Sequence, residues 1–323
     1  MSLAITVVIP AYNAAAFIGD AVHSVFTQTR LPEEVIIIDD GSTDATPQIL
    51  ESIGKNVPPG TSLRIIHQQN AGVMAARNRG IAEAHGDWIA FLDADDAWFP
   101  EKLHRQTKLL ETLNTPALLC CGMVTFWRDL PAPTTILCET LPTQVSTEQL
   151  LQRNYIGTST VLLPKASLVA VGGFSAHYNH AEDWAVWLRI AASVLPIWRM
   201  TEQLGAYRMT PNALGTRNPG YLRDVEIRII KDFVREHDLH IPKRVVRQAL
   251  AGNHIRTAFN YDSIQRFGDA AIEIMHSIAT WPMTLPEYSN GKRLYRLHLL
   301  CRLLWNYVNS AQLTVMHASV RDQ

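Results

Sequence analysis

Cysteine is scarce. The chain has 323 residues and four cysteines, none in the spaced pairs that zinc sites use. Cys120 and Cys121 are adjacent in an apolar run (117–124) and read as small core residues; Cys138 and Cys301 stand alone, so a disulfide scaffold is excluded. Long hydrophobic runs are also missing. Nowhere do about 18 apolar residues follow one another without a charge or a breaker, so no membrane-spanning helix is expected. The opening Met-Ser-Leu-Ala-Ile-Thr lacks the basic region and apolar stretch of a secretory signal. The expectation is a soluble, cytoplasmic protein. An excess of one charge is absent too: 29 basic residues face 30 acidic ones, which argues against a nucleic-acid binder. Neither a G-x-x-x-x-G-K-[ST] loop nor a G-x-G-x-x-G turn occurs, which weighs against P-loop enzymes and nicotinamide dehydrogenases.

What charge there is divides unevenly. Residues 1–216 hold 14 Lys/Arg and 20 Asp/Glu, whereas residues 217–323 hold 15 and 10. The first part alternates short β-branched runs with helical spacing. Strands are expected at Ile5–Ile9, Val35–Ile38, Leu63–Ile66 and Trp88–Leu92, with helices after each, one of them from Gly72 to Ala84 and another from near Pro100. This implies an α/β fold with a mostly parallel sheet flanked by helices. Further strands are expected near 117–126, 159–163, 196–200 and 204–209, a Pro-rich loop at 130–142, and helices at 147–153 and 182–192. Past a Gly/Asn/Pro-rich loop at 211–219 the chain reads as helices. Two domains follow, 1–215 and a helical C-terminal region, 216–323.

Polar clusters fall at the carboxyl ends of the expected strands, the edge where open α/β sheets bind ligands. Asp93-Ala94-Asp95-Asp96 puts three carboxylates in four residues, which suits a hard divalent cation, Mn²⁺ or Mg²⁺; a solvated turn with Asp96 as helix cap is the structural alternative. Asp39-Asp40-Gly41-Ser42-Thr43-Asp44 combines turn and cap residues with two acids able to accept hydrogen bonds from a base or ribose. Gly72 begins a helix whose amino end favours phosphate, and Arg77 could assist it. Glu182-Asp183 at a helix start is either a cap or a general base.

Together these segments resemble the family 2 glycosyltransferases of the GT-A fold. Val7-Val8-Ile9-Pro10-Ala11-Tyr12-Asn13 resembles the opening strand and loop. Asp39–Asp44 resembles D-D-G-S-x-D, Asn70-Ala-Gly72…Ala76-Arg77-Asn78-x-Gly80 resembles N-x-G…A-R-N-x-G, and Asp93-Ala94-Asp95 resembles the D-x-D region. Gly172-Gly173-Phe174 and Glu182-Asp183 resemble the acceptor-side G-G-F and E-D. The resemblance implies an inverting transfer from a nucleotide-sugar, UDP favoured, to a saccharide or lipid-linked acceptor in polysaccharide or glycolipid assembly. It implies that Pro10, Ala11, Tyr12 and Asn13 line the base and ribose pocket and that Asp40 meets the base, with Asp39 nearby. Asp93 and Ala94 would face the ribose or sugar, Asp95 would bind Mn²⁺ or Mg²⁺, and Asp183 would be the base beside Glu182. Arg208 is either a phosphate contact or a surface strand residue. Thr210 stands where a metal-binding His is often found. Two rivals remain open: a nucleotidyltransferase, and a non-catalytic module that binds nucleotide.

The tail segment 292–305 places Leu297, Leu300, Cys301 and Leu304 on one helical stripe beside Lys292, Arg293, Arg296 and Arg302. Such a helix packs on its own domain, on a second copy as a homodimer, or on an anionic membrane at the cytoplasmic face.

Overall fold

The computed structural model describes residues 3–126, 131, 141–193, 195–209, 217–237, 240–289, 292 and 294–321. The Pro-rich loop at 130–142 with Cys138, Thr210, most of the loop at 211–219, and Arg293 thus lie wholly or largely outside the described residues. The chain divides into two compact units, residues 1–147 with 154–210, and residues 148–153 with 211–323.

The first unit is built on β1 (Ile5–Ala11), β2 (Glu34–Asp39), β3 (Ser62–His67), β4 (Trp88–Phe91), β5 (Ala97–Trp98), β6 (Leu118–Phe126), β7 (Thr143–Val145), β8 (Leu162–Pro164) and β9 (Ile197–Arg208). They form one sheet in the order β3-β2-β1-β4-β8-β6-β9-β5, with β7 on β9. The long ladders of β1 with β2, β2 with β3 and β6 with β9 are parallel, and the short pairings of β8, β5 and β7 are antiparallel. Every residue of β1 and β2 is buried, which is why both read as unbroken apolar runs.

Its helices are α1 (Ile18–Phe26), α2 (Thr46–Ile53), α3 (Val73–Glu83), α4 (Lys102–Leu113), α6 (Lys165–Ala170) and α7 (Glu182–Ala192); α5 (Thr147–Gln152) groups mainly with the second unit. The core joins Ile5, Val7 and Ile9 to Ile18, Val22 and Val25 of α1 and Leu103 and Leu110 of α4. Helix α3 lies so close to β1 that a Cβ on Gly80 would stand 2.2 Å from Val8 Cγ1.

Three expectations are corrected. Strand β1 does not stop at Pro10. Ala11 accepts from Asp40 N on the β2 side, so Pro10 faces the other edge, where pairing with β4 has ended at Val8 and its missing N–H costs nothing. The separate strands expected at 196–200 and 204–209 are one strand, β9, whose ladder with β6 shifts register around Gly122. Asp96 caps no helix, because β5 intervenes before α4.

The second unit consists of α5 with α8 (Pro219–Glu236), α9 (Lys243–Ser263), α10 (Phe267–Thr280), α11 (Pro286–Ser289) and α12 (Tyr295–Arg321). Small residues (Ala251 and Ala258 on α9, Ala270 and Ala271 on α10) let two helices close on a core with Ile255, Ile274 and Leu303. Along α12 the expected stripe divides. Leu297, Cys301 and Leu304 are exposed, and Leu299, Leu300 and Leu303 pack inward. Arg296 is also buried rather than lining a basic surface. Its guanidinium donates to Ser277 O at 3.1 Å, Ser277 Oγ at 3.0 Å and Met283 O, which satisfies carbonyls near the end of α10. Among the described residues no helix is long and apolar enough to cross a membrane.

Candidate active site

The carboxyl ends of β1, β2 and β4 open onto two neighbouring cavities. The larger, about 390 Å³, is lined by residues including Pro10, Tyr12, Asn13, Arg77, Asp93, Ala94, Asp95 and Tyr207. The smaller, about 270 Å³, shares Pro10 and Tyr12 and adds Ala11, Asp40, Asn70 and Gly72. The structure therefore brings together most of the residues singled out in the sequence.

The β2 loop is locked by its own acids. Asp39 Oδ1 accepts from Ser42 N at 3.1 Å, and its Oδ2 lies 2.8 Å from His67 Nδ1. Asn13, held at φ +47°, accepts from Thr43 N at 2.8 Å, which staples the β1 loop to the β2 loop. Asp44 Oδ1 accepts from Thr46 N at 2.9 Å, capping the first residue of α2. Asp40 is buried and accepts from Gln68 Nε2 at 2.7 Å, Ala71 N at 3.0 Å and Gly72 N at 2.8 Å. The anion at the amino end of α3 is thus Asp40 itself, and Gly72, at φ +88°, turns its N–H onto that carboxylate rather than leaving it for phosphate.

Arg77 is not a free phosphate hook either. Its buried guanidinium donates to Asp93 Oδ1 at 2.7 Å and Glu182 Oε1 at 2.9 Å and lies 5.2 Å from the centre of the Phe174 ring. The neighbouring Asn78 exchanges two hydrogen bonds with the Phe174 backbone, at 2.8 and 2.9 Å. Gly172 and Gly173, at φ +78° and +64°, make the turn that presents Phe174. Consecutive residues of α3 therefore dock the G-G-F turn and the start of α7, so Asp93 after β4 and Glu182-Asp183 on α7 share one guanidinium neighbourhood.

The acidic cluster divides by role. Asp96 turns inward, accepting from Ser159 Oγ at 2.6 Å and Arg208 N at 3.1 Å, and burial together with Asp93 pushes its carboxyl up to about 8. Asp93 and Asp95 face the larger cavity. Burial, and then the charge of Asp93, raises the Asp95 carboxyl above its ordinary value. Two neighbouring carboxylates lining one cavity are what a divalent cation would relieve, and an incomplete protein ligand set suits a metal that also takes phosphate oxygens. The donor set therefore fits Mn²⁺ or Mg²⁺. On α7, burial first and Glu182 second push the Asp183 carboxyl up to about 6, against the opposing charge of Arg77. Its Oδ1 accepts from Trp184 N at 2.6 Å.

Arg208 is not the surface strand residue that was one of its two expected roles. It is 7% exposed, lies between the rings of Phe17 and Phe126 at 4.6 and 4.5 Å, and donates from Nε to Asp95 O at 3.0 Å. Sequence reasoning missed Ser159, which anchors Asp96 and also accepts from Asp93 N at 3.1 Å, and Phe17. Neither carries a sequence signal, since both act through contacts made only on folding.

Comparison with known proteins follows the same outline. The family model "Glycosyl transferase family 2" matches residues 6–160. The "Putative teichuronic acid biosynthesis glycosyltransferase TuaG" of Bacillus subtilis (strain 168) is 28% identical over 215 residues, 66% of this chain and 81% of TuaG. The uncharacterized glycosyltransferase YibD of Escherichia coli (strain K12) is 43% identical over 114 residues, which span 35% of this chain and 30% of YibD. Among solved structures, S. aureus TarS 1-349 in complex with UDP-GlcNAc superposes with a TM-score of 0.62 at 19% identity, covering 85% of this chain and 81% of TarS 1-349. The mannosyltransferase PcManGT from Pyrobaculum calidifontis, in complex with GDP-Man and Mn²⁺, gives 0.62 at 16%, covering 97% and 87%. These two share the fold.

Proposed function

Because this chain carries a family 2 glycosyltransferase domain over residues 6–160, we propose that it moves a sugar from a nucleoside-diphosphate donor, UDP favoured, to an acceptor hydroxyl by direct displacement with inversion. The observation that carries this reading is Arg77, whose ion pairs to Asp93 and Glu182 hold the donor-side and acceptor-side acids at a single centre. Pro10, Ala11, Tyr12 and Asp40 wall the pocket for the base, with Asp40 also fixing the 70–72 loop. Asp183 takes the proton from the acceptor hydroxyl as its oxygen attacks the anomeric carbon. The bond from that carbon to the diphosphate breaks, and the nucleoside diphosphate leaves with the electron pair. Asp95, with Asp93 beside it, would hold Mn²⁺ or Mg²⁺, which supplies Lewis-acid stabilisation of the leaving diphosphate. A saccharide or lipid-linked saccharide is the acceptor class, in polysaccharide or glycolipid assembly. The exposed Leu297, Leu304, Trp305 and Val308 of α12 offer a surface for a membrane carrying it.

Calorimetry with UDP, dTDP and GDP, each with Mn²⁺ and again with EDTA, tests the donor site. One diphosphate should bind with metal and lose at least about tenfold in affinity with EDTA or in Asp95→Asn. Binding of none would overturn the donor assignment, and release of pyrophosphate instead of a nucleoside diphosphate would overturn the reaction.

A further inference from the structure

The second unit carries a cluster that the transfer reaction does not use. His254 lies on α9, and Glu273 and His276 lie three residues apart on α10, so the latter two share a helix face turned toward α9. One ligand atom from each of the three comes within 4.8 Å of the others. His254 Nδ1 is 2.6 Å from Glu273 Oε2, and the two imidazole rings are 5.4 Å apart. Glu273 is almost fully buried, and its other oxygen accepts from Arg223 of α8. Burial opposes its charge, but the hydrogen bonds from His254 and Arg223 outweigh that and hold its carboxyl below the ordinary range.

We propose that His254, Glu273 and His276 form a site for a divalent transition cation, Zn²⁺ foremost, that fastens α9 to α10. The donor chemistry selects the ion. Two imidazoles and one carboxylate suit borderline cations such as Zn²⁺, whereas Mg²⁺ and Ca²⁺ take all-oxygen sets. A Glu-x-x-His pair on one helix completed by a His from the neighbour is a way for packed helices to build such a centre. Arg223 leaves Glu273 Oε2 to face the imidazoles and fixes the carboxylate plane, as an outer-shell partner of a ligand does. His276 is what separates this reading from a packing contact. A buried Glu paired with Arg223 and His254 is already satisfied, and the second imidazole, exposed to solvent, meets His254 only ring to ring but completes a three-ligand set that opens to solvent. The proposal is independent of the donor site, since all four residues belong to the second unit.

The test uses the full chain stripped with EDTA and titrated with Zn²⁺ by calorimetry and thermal melting. The wild type should take up one saturable equivalent and melt several degrees higher with Zn²⁺, because an ion bound only by the folded state stabilises it by mass action. His276→Ala, a surface change, should fold normally and bind UDP as before, while Zn²⁺ affinity falls at least about tenfold and the thermal gain disappears. His276→Cys, which restores a ligand, should recover both. Equal Zn²⁺ binding by wild type and His276→Ala, or no saturable binding by the wild type, overturns the proposal.

Discussion

Asp183 is the residue on which the proposed chemistry turns. Replacing it with Asn keeps the shape and removes the base, so turnover should fall by about 10²–10⁴-fold while calorimetric binding of the donor diphosphate is unchanged. Its pKa gives a second expectation. The carboxyl must be ionised to accept a proton, and burial with Glu182 raises it to about 6. The rate kcat/KM should therefore level off above about pH 6 and fall about tenfold per pH unit below it, the direction expected of a base lost by protonation. A profile flat down to about pH 4.5 would assign the proton transfer to another group. At this scale the sequence was a partial guide. Asp39, Asp40, Asp93, Asp95 and Asp183 could be picked out because acids at strand and helix ends need an explanation. The ion pairs of Arg77 and Arg208 were not legible, because their partners lie 16 to 188 residues away, at Asp93, Glu182 and Asp20.

Among the elements, α3 packs closely on the sheet. Its Gly80 lies against Val8 of β1, and its Arg77 and Asn78 carry the contacts to the acceptor-side turn. Gly80→Ala would place a methyl 2.2 Å from Val8 Cγ1 and push the helix outward. A loss of about 1–3 kcal/mol of stability is expected in urea melts, together with weaker donor binding as Arg77 shifts. Unchanged values for both would mean that α3 is free to yield. The parallel strands were legible because burial on both faces writes a continuous apolar run. The short strands β5, β7 and β8 were missed or misplaced because two or three residues carry no periodicity, and they exist only as partners of longer strands.

In the whole molecule, the segment 148–153 crosses the simple division at about residue 215 that the sequence suggested. It groups with the C-terminal helices, where Gln152 donates to Gln248 Oε1 at 3.0 Å and its carbonyl accepts from Arg256 at 3.2 Å. A fragment ending at residue 210 leaves those groups without partners, so it should melt several degrees below the full chain. Equal midpoints would show that α5 is held without them. The alternation of buried strands and helices and the placing of acids at one sheet edge could be read from the chain alone, because burial and turn chemistry act over a few residues. Which acid faces the cavity, which is sealed inside, and that Arg77 joins Asp93 to Glu182 emerge with the fold, because charge pairing is settled by distances between segments that the chain brings near one another only when the core closes.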